Sequence, residues 1–266
     1  MTEVAIATVS WRAIQSEHFT SLFEFLTTKP KDGHDMVHIK QIGDALVDRA
    51  RAIAATKFLR ETEADVLLSI DDDIIFKAKD AWQIIEQAEE YNIVSGMYVT
   101  RGRGEGCKPA SILDYGQTVE FGTDPEPIPI RWPAGGFLAV HRRVLEDLAR
   151  RLPLCHANTD WPFYPFYQPF WVDDEESGQT IYLSEDYALA QRALEAGYPS
   201  YLNPAVRLRH IGVAYYRLED VAVPEPPSMT TVIRRNENGS YTVRRPDEWH
   251  PAHWEEAKPS PLILVK

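Results

Sequence analysis

The sequence predicts an α/β protein with a mostly parallel central sheet flanked by helices, a small antiparallel excursion and a C-terminal appendage. Three observations carry this expectation. Strand-like and helix-like periods alternate through the first hundred or so residues, the pattern of a sheet with helices on its faces. The third strand-like run, "VLLSIDDDIIF" at 66–76, ends in three consecutive aspartates, and ligands of such sheets bind beyond the carboxyl ends of the strands. The chain has 266 residues, 44% hydrophobic and 26% charged. That suits one large domain, drawn here over residues 1–216, with a Pro-rich appendage over 217–266.

The elements follow in order. "EVAIATVSW" is a first strand. "SEHFTSLFEFLTT" has helical spacing with a start signal at Ser16. "DMVHIKQI" alternates as a second strand. "DALVDRARAIAATKFLRETE" is an amphipathic helix with Ala45, Leu46, Ala50, Ile53, Ala54 and Phe58 on or near one face. The aspartate-tipped strand comes next, then a helix in "AKDAWQIIEQAEEY" and a strand in "NIVSGMYV". Residues 101–135 are rich in Gly and Pro, with short strand-like pieces "ASILDY" and "QTVEF"; this is the antiparallel excursion. "GGFLAVHRRVLEDLARRL" is a strand passing into a helix. "WPFYPFYQPFWVDDEESGQT" reads as an aromatic, Pro-rich loop. "SEDYALAQRALEAGY" is a helix capped by Ser184, with Glu185 and Asp186 in its first turn and Gly197 at its end. "SYLNPAVRLRHIG" returns as a strand. No internal repeat is present.

Composition excludes several classes. No run of 18 or more apolar residues exists, so no transmembrane helix is expected. "MTEVAIATVSW" lacks the basic start of a signal peptide, which points to a cytoplasmic protein. Cys107 and Cys155 have no metal-type spacing and are expected as free thiols. The net charge of −12 disfavours a broad nucleic-acid-binding surface. "VIRRNENGSYTVRRP", with Arg234, Arg235, Arg244 and Arg245 about an Asn238-Gly239 turn, reads as a solvated hairpin.

Asp71, Asp72 and Asp73 pose the chemical question. Adjacent carboxylates repel, and burying them without a positive partner is costly. A divalent cation is one partner that would suit them. If the strand persisted, Asp71 and Asp73 would project to one side and Asp72 to the other. The alternative is a solvated turn or helix-cap cluster.

Four places, in this order, resemble the GT-A class of nucleotide-sugar-dependent glycosyltransferases (family 2-like). They are the Asp-x-Asp-like "IDDDIIF"; the Arg-bearing helix "VDRARAIAATKFL", in which Ala52 stands where the class has Asn; the Gly-Gly turn of "PAGGFLAVHRRVLEDL"; and "LSEDYALAQRALEAGYPSYLNPAVRLRHIG", with a Glu-Asp helix and a late His-x-Gly. The resemblance covers residues 1 to about 215. It implies a metal-dependent transferase that moves a sugar from a nucleoside diphosphate sugar, with UDP as the expected nucleotide, to an acceptor hydroxyl. The expected cofactor is Mn²⁺ or Mg²⁺.

Residue by residue, the resemblance makes Asp73 a direct metal ligand. Asp71 reaches the metal through water or touches the donor sugar, and Asp72 meets the ribose. His210 completes the metal shell or contacts the diphosphate. Asp186, beside Glu185, is the base of an inverting transfer. Thr8, Val9 and Ser10 line the base pocket, and Arg51 lies near the base or phosphates. Gly135 and Gly136 let backbone approach the donor sugar. Asp44 or Asp48 contacts uracil, or else pairs with Arg49 or Arg51. Plain structural roles remain the alternative for each: a capping acid at Asp186, a surface ion pair at Arg51, a simple turn at Gly135-Gly136. The aromatic stretch from Trp161 to Trp171 suits stacking on an acceptor, or filling a core. The acceptor itself stays open among glycan, small molecule, protein and modified nucleic-acid base.

Two rival classes share part of this pattern. A haloacid dehalogenase-type phosphohydrolase also uses Asp-x-Asp, but on its first strand and with Thr or Val where this chain has Ile75. A non-catalytic sugar-nucleotide- or glycan-binding domain of the same fold is the other.

Overall fold

The computed structural model describes residues 3–10, 14–28, 35–101, 108–122, 124–157, 161–212, 215–216, 232–236 and 241–244. Its centre is a seven-stranded sheet. In chain order the strands are β1 (Val4–Ser10), β2 (Met36–Ile42), β3 (Val66–Asp71), β5 (Ile93–Met97), β7 (Ile128–Ile130), β8 (Phe137–His141) and β11 (Ser200–Arg207). They lie in the order β2-β1-β3-β8-β5-β11-β7. β2, β1, β3, β5 and β11 point the same way, while β8 and β7 run against them. This is the α/β architecture expected from the alternation.

Every residue of β1 is buried, because helices cover both faces. Val4 and Ile6 join Val66, Leu68 and Ile70 on the face covered by α1 (Ser16–Thr27) and α3 (Ala78–Tyr91), where Leu22, Phe25, Ile84 and Ile85 meet them. Ala5, Ala7 and Leu67 turn to the other face. There they pack with Ala54 and Phe58 of α2 (Val47–Glu61), Leu145 and Leu148 of α4 (Arg142–Arg151) and Leu189 of α5 (Glu185–Glu195).

α5 ends as its glycine predicts. Gly197 has φ +94°; its N–H bonds the Leu194 carbonyl and that of Tyr198 bonds the Ala193 carbonyl, the paired bonds of a Schellman motif. The serine caps differ from expectation. Neither Ser16 nor Ser184 accepts a bond from a helix N–H. Each hydroxyl donates to a neighbouring carboxylate instead, Ser16 to Glu17 and Ser184 to Asp186.

Three smaller sheets complete the described residues. β4 (Ile74–Ile75), β12 (Arg209–Ile211) and β13 (Tyr215–Tyr216) form one. β9 (Phe170–Asp174) and β10 (Gln179–Leu183) form a hairpin, so the second half of the stretch read as a loop is regular structure. β6 (Thr118–Phe121), β15 (Tyr241–Arg244) and β14 (Val232–Arg235) form the third. β14 and β15 pair as the expected hairpin, and β15 also pairs with β6 of the excursion. The Asn238-Gly239 turn, Arg245, Cys107 and most of 217–266 lie outside the described residues. Cys155 is a free thiol. Among the described residues no helix is long and apolar enough to cross a membrane.

Candidate active site

The strand β3 stops at Asp71, and Asp72 and Asp73 form the turn into β4. The alternation expected of a continuing strand therefore does not set their directions. The turn is held from both sides. The Gln15 N–H bonds the Asp72 carbonyl, and the Ile211 N–H bonds the Asp73 carbonyl. Behind it, buried His18 on α1 bonds the Ile74 carbonyl through Nδ1 at 2.8 Å. A cleft of about 180 Å³ opens over the turn, lined by Val9, Asp44, Ala45, Val47 and the three aspartates.

Each aspartate meets a different environment. Asp71 is bound by the Arg51 guanidinium at 2.8 Å. Asp73 is bound by Arg101 at 2.5 Å and faces His210 Nε2 at 3.4 Å. Burial works against the Asp73 charge, yet His210 and Arg101 hold its pKa below the ordinary aspartate value. Among the described residues Asp72 has no such ion pair. Burial, then the charges of Asp73 and Asp71, push its pKa up. Among the described residues the buried Ser10 hydroxyl has no hydrogen bond of good geometry, although it is close enough to Asp72 to favour the carboxylate.

His210 is fixed through both ring nitrogens. Its Nδ1 lies 2.9 Å from the Val99 carbonyl, which can only accept, so Nδ1 carries the proton. With the ring neutral, Nε2 carries the lone pair and accepts from Arg101 Nε at 3.2 Å; with the ring protonated, Nε2–H faces Asp73 at 3.4 Å and is the partner that holds its charge. A backbone carbonyl fixing the tautomer in this way is the usual support of a metal-binding imidazole. β12 delivers the ring, because His210 pairs with Ile74 next to the turn.

A second group of residues sits against Asp71. Arg51, 4% exposed, donates to the Gly135 carbonyl at 2.8 Å and lies 3.8 Å from Glu185. Burial opposes its charge, but Asp71 and Glu185 outweigh burial and hold it protonated. The Gly135 N–H donates to Asp186 at 3.0 Å, the Gly136 N–H donates to Tyr98 Oη at 3.0 Å, and the Gly136 carbonyl accepts from the Asp71 N–H. The glycines are required by this crowding. A Cβ on Gly136 would fall 2.5 Å from Tyr98 Oη and 3.0 Å from Asp71; one on Gly135 would fall 3.0 Å from Asp186 and 3.2 Å from Arg51. The close approach is thus to protein groups.

Asp186 also accepts from the Ser184 hydroxyl at 2.6 Å and the Tyr187 N–H at 2.9 Å. Three donors fix its orientation and leave about one of its four acceptor sites open. For Glu185, burial first and then the Asp186 charge push the pKa up, against the pull of Arg51.

The structure therefore brings together Val9, Arg51, Asp71, Asp72, Asp73, Gly135, Gly136, Glu185, Asp186 and His210. It does not bring Thr8, Ser10 or Asp48 into the cleft lining. The buried Thr8 hydroxyl is hydrogen-bonded to His38 on the neighbouring strand, and Asp48 stands in the first turn of α2. Asp44 pairs with Arg49. Sequence reasoning missed Arg101 and Tyr98. No local pattern marks Arg101. Tyr98, just past β5 at the same sheet end, was findable only by its position.

Among the described residues no group of three or more His, Cys, Asp or Glu is gathered as a metal-binding cluster. Asp73 and His210 offer one oxygen and one nitrogen. That donor set fits Mn²⁺ or Mg²⁺ only as an ion that completes its shell with phosphate oxygens and water, which is how such ions commonly bind beside nucleotides.

No protein-family model matches the chain, and no curated protein matches it. Among solved structures it is similar to A197 from STIV, at 16% identity and a TM-score of 0.48, covering 81% of this chain and 94% of that one. It is similar to GalNAc-T7 with UDP, GalNAc and Mn²⁺, at 13% identity and a TM-score of 0.49, covering 83% of this chain but only 45% of that one. It is similar to CMP:2-keto-3-deoxy-manno-octonic acid synthetase complexed with CTP, at 12% identity and a TM-score of 0.37, covering 76% and 88%. No residue role is carried over from these proteins.

Proposed function

We propose that the chain is a glycosyltransferase that moves a sugar from a nucleoside diphosphate sugar, UDP-linked, to an acceptor hydroxyl with inversion. One observation carries the reading: the Asp73–His210 pair, with its imidazole lone pair fixed by the Val99 carbonyl, stands at the strand end beside a carboxylate pair on α5. Asp73 and His210 would hold Mn²⁺ or Mg²⁺, whose Lewis acidity offsets the charge that leaves with the diphosphate. The cleft is smaller than the roughly 300–1,000 Å³ of whole-ligand pockets, so it suits the phosphate and ribose end of a donor. Val9 flanks the nucleoside, and Asp72, backed by Ser10, meets the ribose. Arg51 positions Asp71 and the buried Gly135-Gly136 turn that backs the site. Asp186, oriented by its three donors, accepts the proton of the attacking hydroxyl.

A second assignment of the base has its own support. Burial raises the proton affinity of Glu185, which favours Glu185 as the acceptor of that proton. Comparing Glu185→Gln with Asp186→Asn separates the two, because only the base loses turnover with donor affinity preserved.

The reading is tested by calorimetry with a panel of nucleoside diphosphate sugars, with Mn²⁺ and with chelator. Donor binding is expected with metal and lost without it. Asp73→Ala should weaken metal-dependent binding more than Asp72→Ala, with His210→Ala between them. Equal binding in chelator would remove the metal from the reading. No binding by any donor would remove the reading itself, while metal-dependent binding without transfer or hydrolysis would favour a non-catalytic sugar-nucleotide-binding domain.

A further inference from the structure

The hairpin β9–β10 leads directly into the Glu185–Asp186 end of α5. Its inner face is anchored. Phe170, Val172, Ile181 and Leu183 pack with Trp132 and Ala188, and Arg192 lies over the Phe170 ring. Buried Asp174 at the end of β9 binds Arg131, Tyr115 and Ser177. The ribbon is therefore held firmly to the body of the protein.

Its outer face is different. Trp171 and Tyr182 are directly opposed in register, and each is 69% exposed. The next outward pair, Asp173 and Thr180, is also directly opposed and joined by a 2.7 Å hydrogen bond. A single exposed aromatic needs no explanation. Two side by side on a rigid ribbon, with hydroxyl and carboxylate acceptors beside them, make a surface with defined chemistry.

We propose that this face is a subsite for a neutral oligosaccharide, the acceptor of the transfer; in that role it rests on the function proposed above. A pyranose ring presents one face of C–H groups, whose partial positive charge suits the negative face of an aromatic ring. Its hydroxyls suit Asp173 and Thr180. A nucleic acid would stack on the same rings, but its phosphates would meet Asp173 on a chain of net charge −12. Tyr182 precedes Glu185 by three residues, so the backbone under the platform lies within roughly 11 Å of the start of α5.

The test is affinity electrophoresis and calorimetry of the full chain without donor or metal, using the hexasaccharides of maltose, cellobiose and chitobiose types and soluble dextran. Wild type should bind at least one of them. Trp171→Ala with Tyr182→Ala should weaken that binding about tenfold or more, and Trp171→Phe should restore most of it. UDP binding with Mn²⁺, measured on the same double variant, should be unchanged. Binding to none of the saccharides, equal binding by the double variant, a preference for an oligonucleotide, or self-association through this face would each overturn the subsite. Aromatic-dependent saccharide binding in a protein that fails to bind UDP would keep the subsite and discard the transferase.

Discussion

Asp71 and Asp73 stand two residues apart, and each is met by an arginine, yet the two pairs are opposites. Arg51 is 4% exposed and also holds Gly135, so its partnership with Asp71 is built into the core. The Arg101 side chain is 54% exposed, and it reaches Asp73 and His210 from the start of a Gly- and Arg-rich stretch. Burial decides what each arginine can be. Removing one member of a buried pair strands a charge, whereas an exposed pair contributes little and exchanges with water and salt. The first arginine is a fixture of the site. On the function proposed above, the second is a placeholder that the metal ion would displace, leaving the guanidinium near the donor's phosphates.

The sharpest way to break this contrast is Arg51→Leu. It leaves Asp71 and Glu185 without their cation and should cost about 3–5 kcal/mol of stability, read from the urea midpoint. A loss under about 1 kcal/mol would place Arg51 in the same class as Arg101. Asp186→Asn keeps the shape of the fixed region. It should lower kcat about 10²-fold with donor affinity within a few fold; near wild-type turnover would leave Asp186 as an anchor for Gly135 only.

Gly136→Ala forces a methyl group against Tyr98 Oη. Overpacking of this kind should cost about 1–3 kcal/mol, and an unchanged melting temperature would show that Tyr98 can yield. Arg101→Ala should change stability by no more than about 1 kcal/mol. It should also tighten binding of Mn²⁺ alone, measured by calorimetry, because a competing cation is gone. Weaker Mn²⁺ binding would mean that Arg101 supports the ion rather than holding its place.

The fixed region was largely legible in the sequence and the exchangeable one was not. The buried strands of the first hundred residues announce themselves by apolar runs between amphipathic helices; Asp71 ends β3, Gly135-Gly136 precede β8 and Asp186 opens α5, in a recognisable order. That Arg51 is buried could not be read, since α2 shows an arginine only as a break in an Ala-rich face. Arg101 gave no signal because nothing local requires a cation there; its partners Asp73 and His210 come from distant strands. The turn at Asp72-Asp73 was hidden because Ile74 and Ile75 read as the same strand continuing. The hairpin β9–β10 was hidden for another reason. Phe170 to Leu183 does alternate, but the Pro- and aromatic-rich stretch before it reads as one loop.

The pairing of β12 with β4 has a consequence for how the molecule comes together. His210 is placed beside Asp73 by strands more than half the chain length apart. Contacts of such long sequence separation form late, because the intervening loop must be closed before they return any free energy. During synthesis the aspartate turn is made early, and its imidazole arrives only after α5 and β11 have emerged. A nascent or truncated chain can thus possess the sheet and the three carboxylates without the completed pair. If the proposed metal binds at Asp73 and His210, its binding would report on assembly of the whole domain, and an ion spanning the two would act as a clasp on its last step.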